Sequence, residues 1–187
     1  MSEDINKAVA VLRAGGVILY PSDTVWGLGC DATNFKAAQK VYKIKGRTIA
    51  ASFIVLLDAV EKITEYVKEV PDILWDLVDS FDFPTTIIYP HAKKLAKNVI
   101  AHDGTIAIRI VKDGFCHEMI KAFGKPVVST SANFTGERAP VLFREISPLL
   151  IQKVDYTVIT GRSVLARAKP STIIRLKSSG EFDIIRD

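Results

Sequence analysis

Two apolar runs that each break off into a cluster of hydroxyl side chains limit the folds open to this chain. Val17-Ile18-Leu19-Tyr20 leads into Pro21-Ser22-Asp23-Thr24-Val25-Trp26-Gly27-Leu28-Gly29-Cys30, and Pro126-Val127-Val128-Ser129 leads into Thr130-Ser131-Ala132-Asn133. A short apolar run bounded by turn residues reads as a buried strand. A strand that stops in Ser, Thr, Asp and Asn holds small hydrogen-bonding groups at a fixed point, and loops mounted on rigid scaffolds in this way often carry function. The same residues also suit ordinary turns, in which hydroxyls satisfy nearby backbone groups.

Helical patterns alternate with these runs. Ile5, Ala8, Val9 and Leu12 recur at helical spacing, and Gly15-Gly16 supplies a stop before the first strand. Thr33 or Asn34 can cap a second helix through Phe35, Ala38, Val41 and Tyr42 that ends near Ile44, after which Lys45-Gly46-Arg47 leads into an apolar strand at 53–57. Further helices are expected at 58–67, 71–79, 115–123 and 144–151, and strands at 85–89, 105–110, 154–159, 171–176 and 182–185. This interleaving predicts an α/β fold: one domain over 1–187, built on a twisted mixed sheet with flanking helices.

The 187 residues, 48% of them hydrophobic, suffice for one core and are few for two. His91, His102 and His117 are scattered, and Cys30 and Cys116 form no C-x-x-C pair, so neither a zinc site nor a disulfide framework is expected. No run approaches the roughly 20 apolar residues needed to span a bilayer. The first residues are acidic and polar, unlike a secretory signal. A soluble, cytoplasmic protein without membrane contact is the expectation. The net charge of +4 favours anionic partners such as nucleotides or RNA, but the basic residues are dispersed and equally fit a solvated surface.

Three separated segments supply groups suited to a nucleotide phosphate: Ser22 and Thr24, Lys45 and Arg47, and Ser129, Thr130, Ser131 and Asn133. Arg offers a planar fork of donors, Lys a mobile point charge, and the small polar side chains orient a ligand. No Walker A pattern is present. On residue type alone, Lys45 and Arg47 also fit a solvated helix end.

Pro21-Ser22-Asp23-Thr24-Val25-Trp26-Gly27-Leu28-Gly29, Lys45-x-Arg47 and Ser129-Thr130-Ser131-Ala132-Asn133-x-x-Gly136 together resemble the signature segments of the YrdC/Sua5 family of threonylcarbamoyl-AMP synthases, in the family's order and spacing. The resemblance runs from about Gly15 to Leu176 and corresponds to the short, YrdC-like form. It implies a concave basic cavity and an enzyme that makes L-threonylcarbamoyladenylate and pyrophosphate from ATP, L-threonine and bicarbonate. A separate transferase would then modify tRNA. It further implies catalytic roles for Lys45, Arg47, Ser131 and Asn133. ATP contacts would come from Lys45, Arg47, Thr105, Ser129, Ser131, Ser171 and Thr172, with Mg²⁺ accompanying the nucleotide. Threonine contacts would come from Ser22, Thr24 and Arg109, and no protein-held metal site is expected.

The chain departs from the family pattern at several places. Trp26 stands where Tyr is frequent, Ser22 where Thr is frequent, and Thr48, Ala51, Ser52 and Phe53 replace the Pro, polar and Pro-Leu positions after Arg47. Ala51 is expected to lack a polar ATP contact. Leu56 stands where many members place a histidine near threonine, Phe83-Pro84-Thr85-Thr86 replaces Pro-Gly-Pro-x-Thr, and Ala139 replaces a serine. The alternatives are a noncatalytic RNA-binding or ribosome-assembly module, motivated by the positive charge, and a carbamoyl-adenylate-forming domain of the hydrogenase-maturation type.

Overall fold

A computed structural model describes residues 2–46, 53–163, 171–177 and 181–186. The first helix, α1 (Glu3–Arg13), begins where Ser2 accepts a hydrogen bond from the Ile5 amide, and carries Glu3 and Asp4 in its first turn and Arg13 in its last, the arrangement its dipole favours. Ile5, Ala8, Val9 and Leu12 are its buried face, as their spacing predicts. The chain leaves the helix through Gly15, which holds a left-handed φ of 73°.

Strands β1 (Ile18–Pro21) and β2 (Trp26–Gly29) form an antiparallel hairpin. The loop expected over residues 21–30 is therefore confined to 22–25, and Trp-Gly-Leu-Gly is a strand. Glycine weakens a strand in isolation, but here it makes room. A Cβ on Gly27 would sit 3.0 Å from the Tyr20 ring, and one on Gly29 would sit 2.3 Å from the Val128 carbonyl oxygen.

Helix α2 (Phe35–Lys45) is capped by Asn34, which accepts from the Ala37 amide, and ends at Gly46 with φ 62°. β3 (Ile54–Leu57) follows. The expected helix over 58–67 resolves into a 3₁₀ turn, Val60–Lys62, and one short helix, α3 (Ile63–Tyr66). Then come α4 (Ile73–Ser80), β4 (Thr85–Tyr89), β5 (Ile106–Ile110), α5 (Gly114–Phe123) and β6 (Val127–Ser131). Residues 144–151 are not one helix but a 3₁₀ turn, Phe143–Glu145, and α6 (Pro148–Ile151). Pro148 cannot donate to a preceding turn, and it keeps Ser147 at ψ 127°, outside the helical region. β7 (Tyr156–Thr157), β8 (Thr172–Leu176) and β9 (Phe182–Arg186) complete the chain, β7 being shorter than expected.

Among the described residues the strands form one mixed sheet in the order β7-β1-β2-β6-β3-β5-β4-β8-β9, with β1/β7, β3/β5 and β4/β8 parallel and the other neighbours antiparallel. Alternate residues face opposite sides of a strand. On one side α1 and α5 cover Ile18, Tyr20, Leu56 and Val127. On the other, Leu19, Trp26, Leu28, Val55, Leu57 and Val128 belong to a larger core that includes Ala37, Ala38, Val41 and Tyr42 of α2. Each fully buried aliphatic side chain such as Leu12 or Leu57 contributes about 1.5–3 kcal/mol. No helix among the described residues is long and apolar enough to cross a membrane.

Candidate active site

A cavity of about 390 Å³ opens on the sheet near the ends of β2 and β6. It brings together Ser22, Thr24, Arg109, Ser129, Thr130, Ser131 and Ser171 of the residues singled out from sequence, which come from four separate stretches of chain. Much of its remaining wall is small or aliphatic, including Gly27, Ile54, Ile88, Ala107 and Ile173, with Phe53 and Arg186 completing it. A second cavity of about 400 Å³ is lined mainly by apolar side chains, including Trp26, Phe81, Ile87, Tyr89 and Ile108, and shares only Ser22 with the first. The first has the convergent polar groups of a specific ligand site.

The 22–25 turn is held by its own bonds. Ser22 Oγ donates to the Val25 carbonyl at 2.6 Å and accepts from the Thr24 amide at 3.2 Å. Ser22 Oγ and Thr24 Oγ1 are 3.0 Å apart, and because the Ser22 proton is committed to Val25, Thr24 is the donor in this pair. The remaining capacity of the Thr24 hydroxyl is therefore to accept, which suits an ammonium or hydroxyl group of a ligand.

Arg109 is 3% exposed, and its Nη2 donates to Asp23 Oδ1 at 2.9 Å. Its Nε has no hydrogen-bond partner among the described residues. Ser171 Oγ lies 2.8 Å from Thr86 Oγ1, a fully buried hydroxyl behind it. Arg186 donates to the Ser171 carbonyl through Nε at 3.2 Å and Nη2 at 2.7 Å, and lines the same cavity. Burial and the nearby Arg109 charge lower the Arg186 pKa from its ordinary value. Two guanidinium groups thus face one space, a field that an anion would relieve.

Sequence reasoning missed Arg186. The only signal was a single cation closing an apolar strand, and its place beside Ser171 follows from the β8/β9 hairpin. Other expectations are redistributed. Thr105 does not line the cavity. Its hydroxyl donates to Asp103 Oδ1 at 2.6 Å, the leading cause of that carboxylate's lowered pKa. Thr172 alternates with Ser171 and Ile173 on the pleat and is absent from the cavity wall. Leu56 is fully buried beneath α1 and α5 rather than in the cavity. Ala139 does line it.

Lys45 is 4% exposed and does not line this cavity either. Its Nζ donates to the carbonyls of Ser131 at 2.7 Å and Asn133 at 2.6 Å, and to Asn133 Oδ1 at 3.2 Å. The reading of Lys45 as a solvated helix end is therefore overturned: its charge is buried in the bend after β6. Asn133 points its Nδ2 to the Phe134 and Glu137 carbonyls. Arg47, Thr48, Ala51 and Ser52 lie outside the described residues.

Similarity to known proteins gives the family. Residues 10–187 match the model of the Sua5/YciO/YrdC family, described as telomere recombination. A threonylcarbamoyl-AMP synthase of Xanthomonas axonopodis is 35% identical over 98% of this chain and 97% of its own. The chain belongs to the Sua5/YciO/YrdC family. The P. abyssi Sua5 structure complexed with L-threonine superposes with a TM-score of 0.83 at 25% identity, over 94% of this chain and 52% of Sua5, so this chain spans about half that protein's length. HypF in a phosphate- and nucleotide-bound form shares the fold, with a TM-score of 0.83 at 20% identity over 99% of this chain and 29% of HypF.

Proposed function

We propose that this protein is a threonylcarbamoyl-AMP synthase, acting on ATP, L-threonine and bicarbonate. The observation that carries the reading is the cavity in which Arg109 and Arg186 face one space lined by Thr24, Ser129, Ser131 and Ser171. An amino acid carries a carboxylate for Arg109 and an amino group for the acceptor face of Thr24, with Ser22 bracing Thr24. Ser129, Ser131, Ser171 and Arg186 are assigned to the nucleotide, whose triphosphate would meet the Arg186 charge.

The threonine nitrogen attacks the carbon of bicarbonate, with loss of water, or of carbon dioxide, with loss of a proton from the amine, to form a carbamate. A carbamate oxygen then attacks the α-phosphorus of ATP, and pyrophosphate leaves with the electron pair of the broken bond. No protein nucleophile is required, so catalysis rests on positioning and charge stabilisation. Lys45 acts by holding Ser131 and Asn133 in place and by adding a positive charge behind them. Arg47 is assigned to the nucleotide by family resemblance. Mg²⁺ would enter as part of the ATP complex. The product passes to a tRNA threonylcarbamoyl transferase.

The test is pyrophosphate release from ATP and Mg²⁺, with and without L-threonine and bicarbonate, with rapid chromatographic trapping of the labile adenylate. Release that requires both small substrates is expected. ATP binding without such turnover, together with RNA binding that falls steeply with salt and ignores threonine, would replace this reading with the RNA-binding one.

A further inference from the structure

We propose that Asp23 is a positioning residue, whose carboxylate fixes the orientation in which the Arg109 guanidinium receives the substrate carboxylate. This rests on the assignment of Arg109 to the amino acid. Asp23 sits in the β1–β2 turn and Arg109 on β5, with β6 and β3 between those elements in the sheet. Their side chains are 13% and 4% exposed and meet at 2.9 Å. The pair therefore ties the hydroxyl-bearing turn to the strand that carries the arginine.

Asp23 acts from behind. It lines the apolar cavity, Arg109 lines the candidate active site, and Ser22 lines both, so the ion pair stands between the two spaces. The turn is a firm mount, because the Ser22 hydroxyl and the Thr24 amide and hydroxyl are bonded within it, while the Asp23 carboxylate reaches across to Arg109. Only Nη2 of the fork is used by a hydrogen-bonded partner among the described residues, and Nε remains without one.

Arg186 explains why the carboxylate is needed before substrate arrives. It lines the same cavity as Arg109. Without a fixed anion on Arg109, the two like charges would repel and the longer-range freedom of the arginine side chain would return. Substrate would then have to order Arg109 at the cost of affinity. Competition between Asp23 and the substrate carboxylate predicts the opposite sign, so the sign of the effect decides between them.

The experiment is calorimetric titration of the purified full chain with L-threonine and, separately, with ATP and Mg²⁺. Asp23→Ala should weaken threonine binding roughly tenfold, the scale of a coupled pair, while ATP binding changes by less than about twofold. Asp23→Asn, which keeps an acceptor but loses the charge, should fall between Asp23→Ala and wild type. Asp23→Ala should add no further loss in an Arg109→Ala background. Threonine binding that is unchanged or tighter in Asp23→Ala, equal losses for threonine and ATP, or additive losses with Arg109→Ala would each overturn the proposal. Should Asp23→Ala fail to fold, the same split between ligands in Asp23→Asn decides. A wild-type protein that binds no threonine removes the proposed function itself, whereas threonine binding indifferent to Asp23 removes only the positioning role.

Discussion

Lys45 holds Asn133 by two oxygens at once, its Nζ donating to the backbone carbonyl at 2.6 Å and to Oδ1 at 3.2 Å. The hold is reciprocal along the chain, because the Thr135 amide and hydroxyl both donate back to the Lys45 carbonyl, at 3.1 and 3.0 Å. The end of α2 and the bend after β6 are thus one unit. A change at Lys45 acts on Ser131 through this unit.

Lys45→Met keeps the apolar stem and removes the ammonium, leaving its buried acceptors short of a donor. The expected cost is about 2–3 kcal/mol of stability, read as a lower urea midpoint, with turnover falling at least about a hundredfold. Lys45→Arg should retain more stability than Lys45→Met. A Lys45→Met protein as stable as wild type would show that the bend is held by other contacts.

Arg186→Ala removes the two bonds to the Ser171 carbonyl and one of the two cations of the cavity. ATP affinity should fall about tenfold or more. The melting temperature should change little, because β9 is an edge strand with exposed Ile184 and Ile185. Nucleotide titration and thermal denaturation of the same preparation check both statements.

Gly29→Ala should destabilise the protein by about 2–3 kcal/mol, since a Cβ there would meet the Val128 carbonyl at 2.3 Å and Tyr20 Cε1 at 2.8 Å. Backbone must shift to accept it. Gly136→Ala is the informative control, because a Cβ there meets nothing within 4 Å and only its φ of 91° opposes the change. Urea unfolding of the two variants separates crowding from backbone strain.

Asp4 ties α1 to β7 and the segment after it, accepting from Tyr156 OH at 2.5 Å, Ile159 N at 3.0 Å and Thr160 N at 2.6 Å. Burial pulls its pKa upward, but bonds from Thr160, Tyr156 and Ile159 outweigh burial and leave it lowered. A carboxylate with a lowered folded-state pKa contributes stability above its unfolded pKa and loses it as pH falls through the folded value. The stability difference between wild type and Asp4→Asn should therefore be full near pH 7 and shrink below about pH 4. Urea midpoints of both proteins across pH 3–7 measure it, and a difference independent of pH would show that the carboxylate charge is not the source.

Much of the architecture was legible because it is local. The spacing of Ile5, Ala8, Val9 and Leu12, the Asn34 cap and the left-handed Gly46 each act within a few residues. The hairpin strand at Trp26–Gly29 was not legible, because its glycines are justified only by the Tyr20 ring and the Val128 carbonyl, which approach from other strands. The break at Ser147 was readable from Pro148, which disfavours a helical residue before it, and the expectation of one helix over 144–151 left that signal unused.

The amino-acid sequence by itself determined the alternation of helices and strands, the hydroxyl-rich turn at Ser22–Thr24, the hydroxyl-rich end of the strand that closes at Ser131, two residues beyond where its apolar run stops, and membership of a family through those motifs. Hydrophobic period, capping and turn chemistry are properties of neighbouring residues, so one dimension suffices for them. Only the tertiary structure decided that Arg186 stands beside Ser171, that Asp23 reaches Arg109, that Thr105 turns to Asp103, and that Lys45 is buried against Asn133. Those relationships depend on strand order and on which face of the pleat each side chain occupies, and charge placement at close range in a buried site is set by that three-dimensional arrangement.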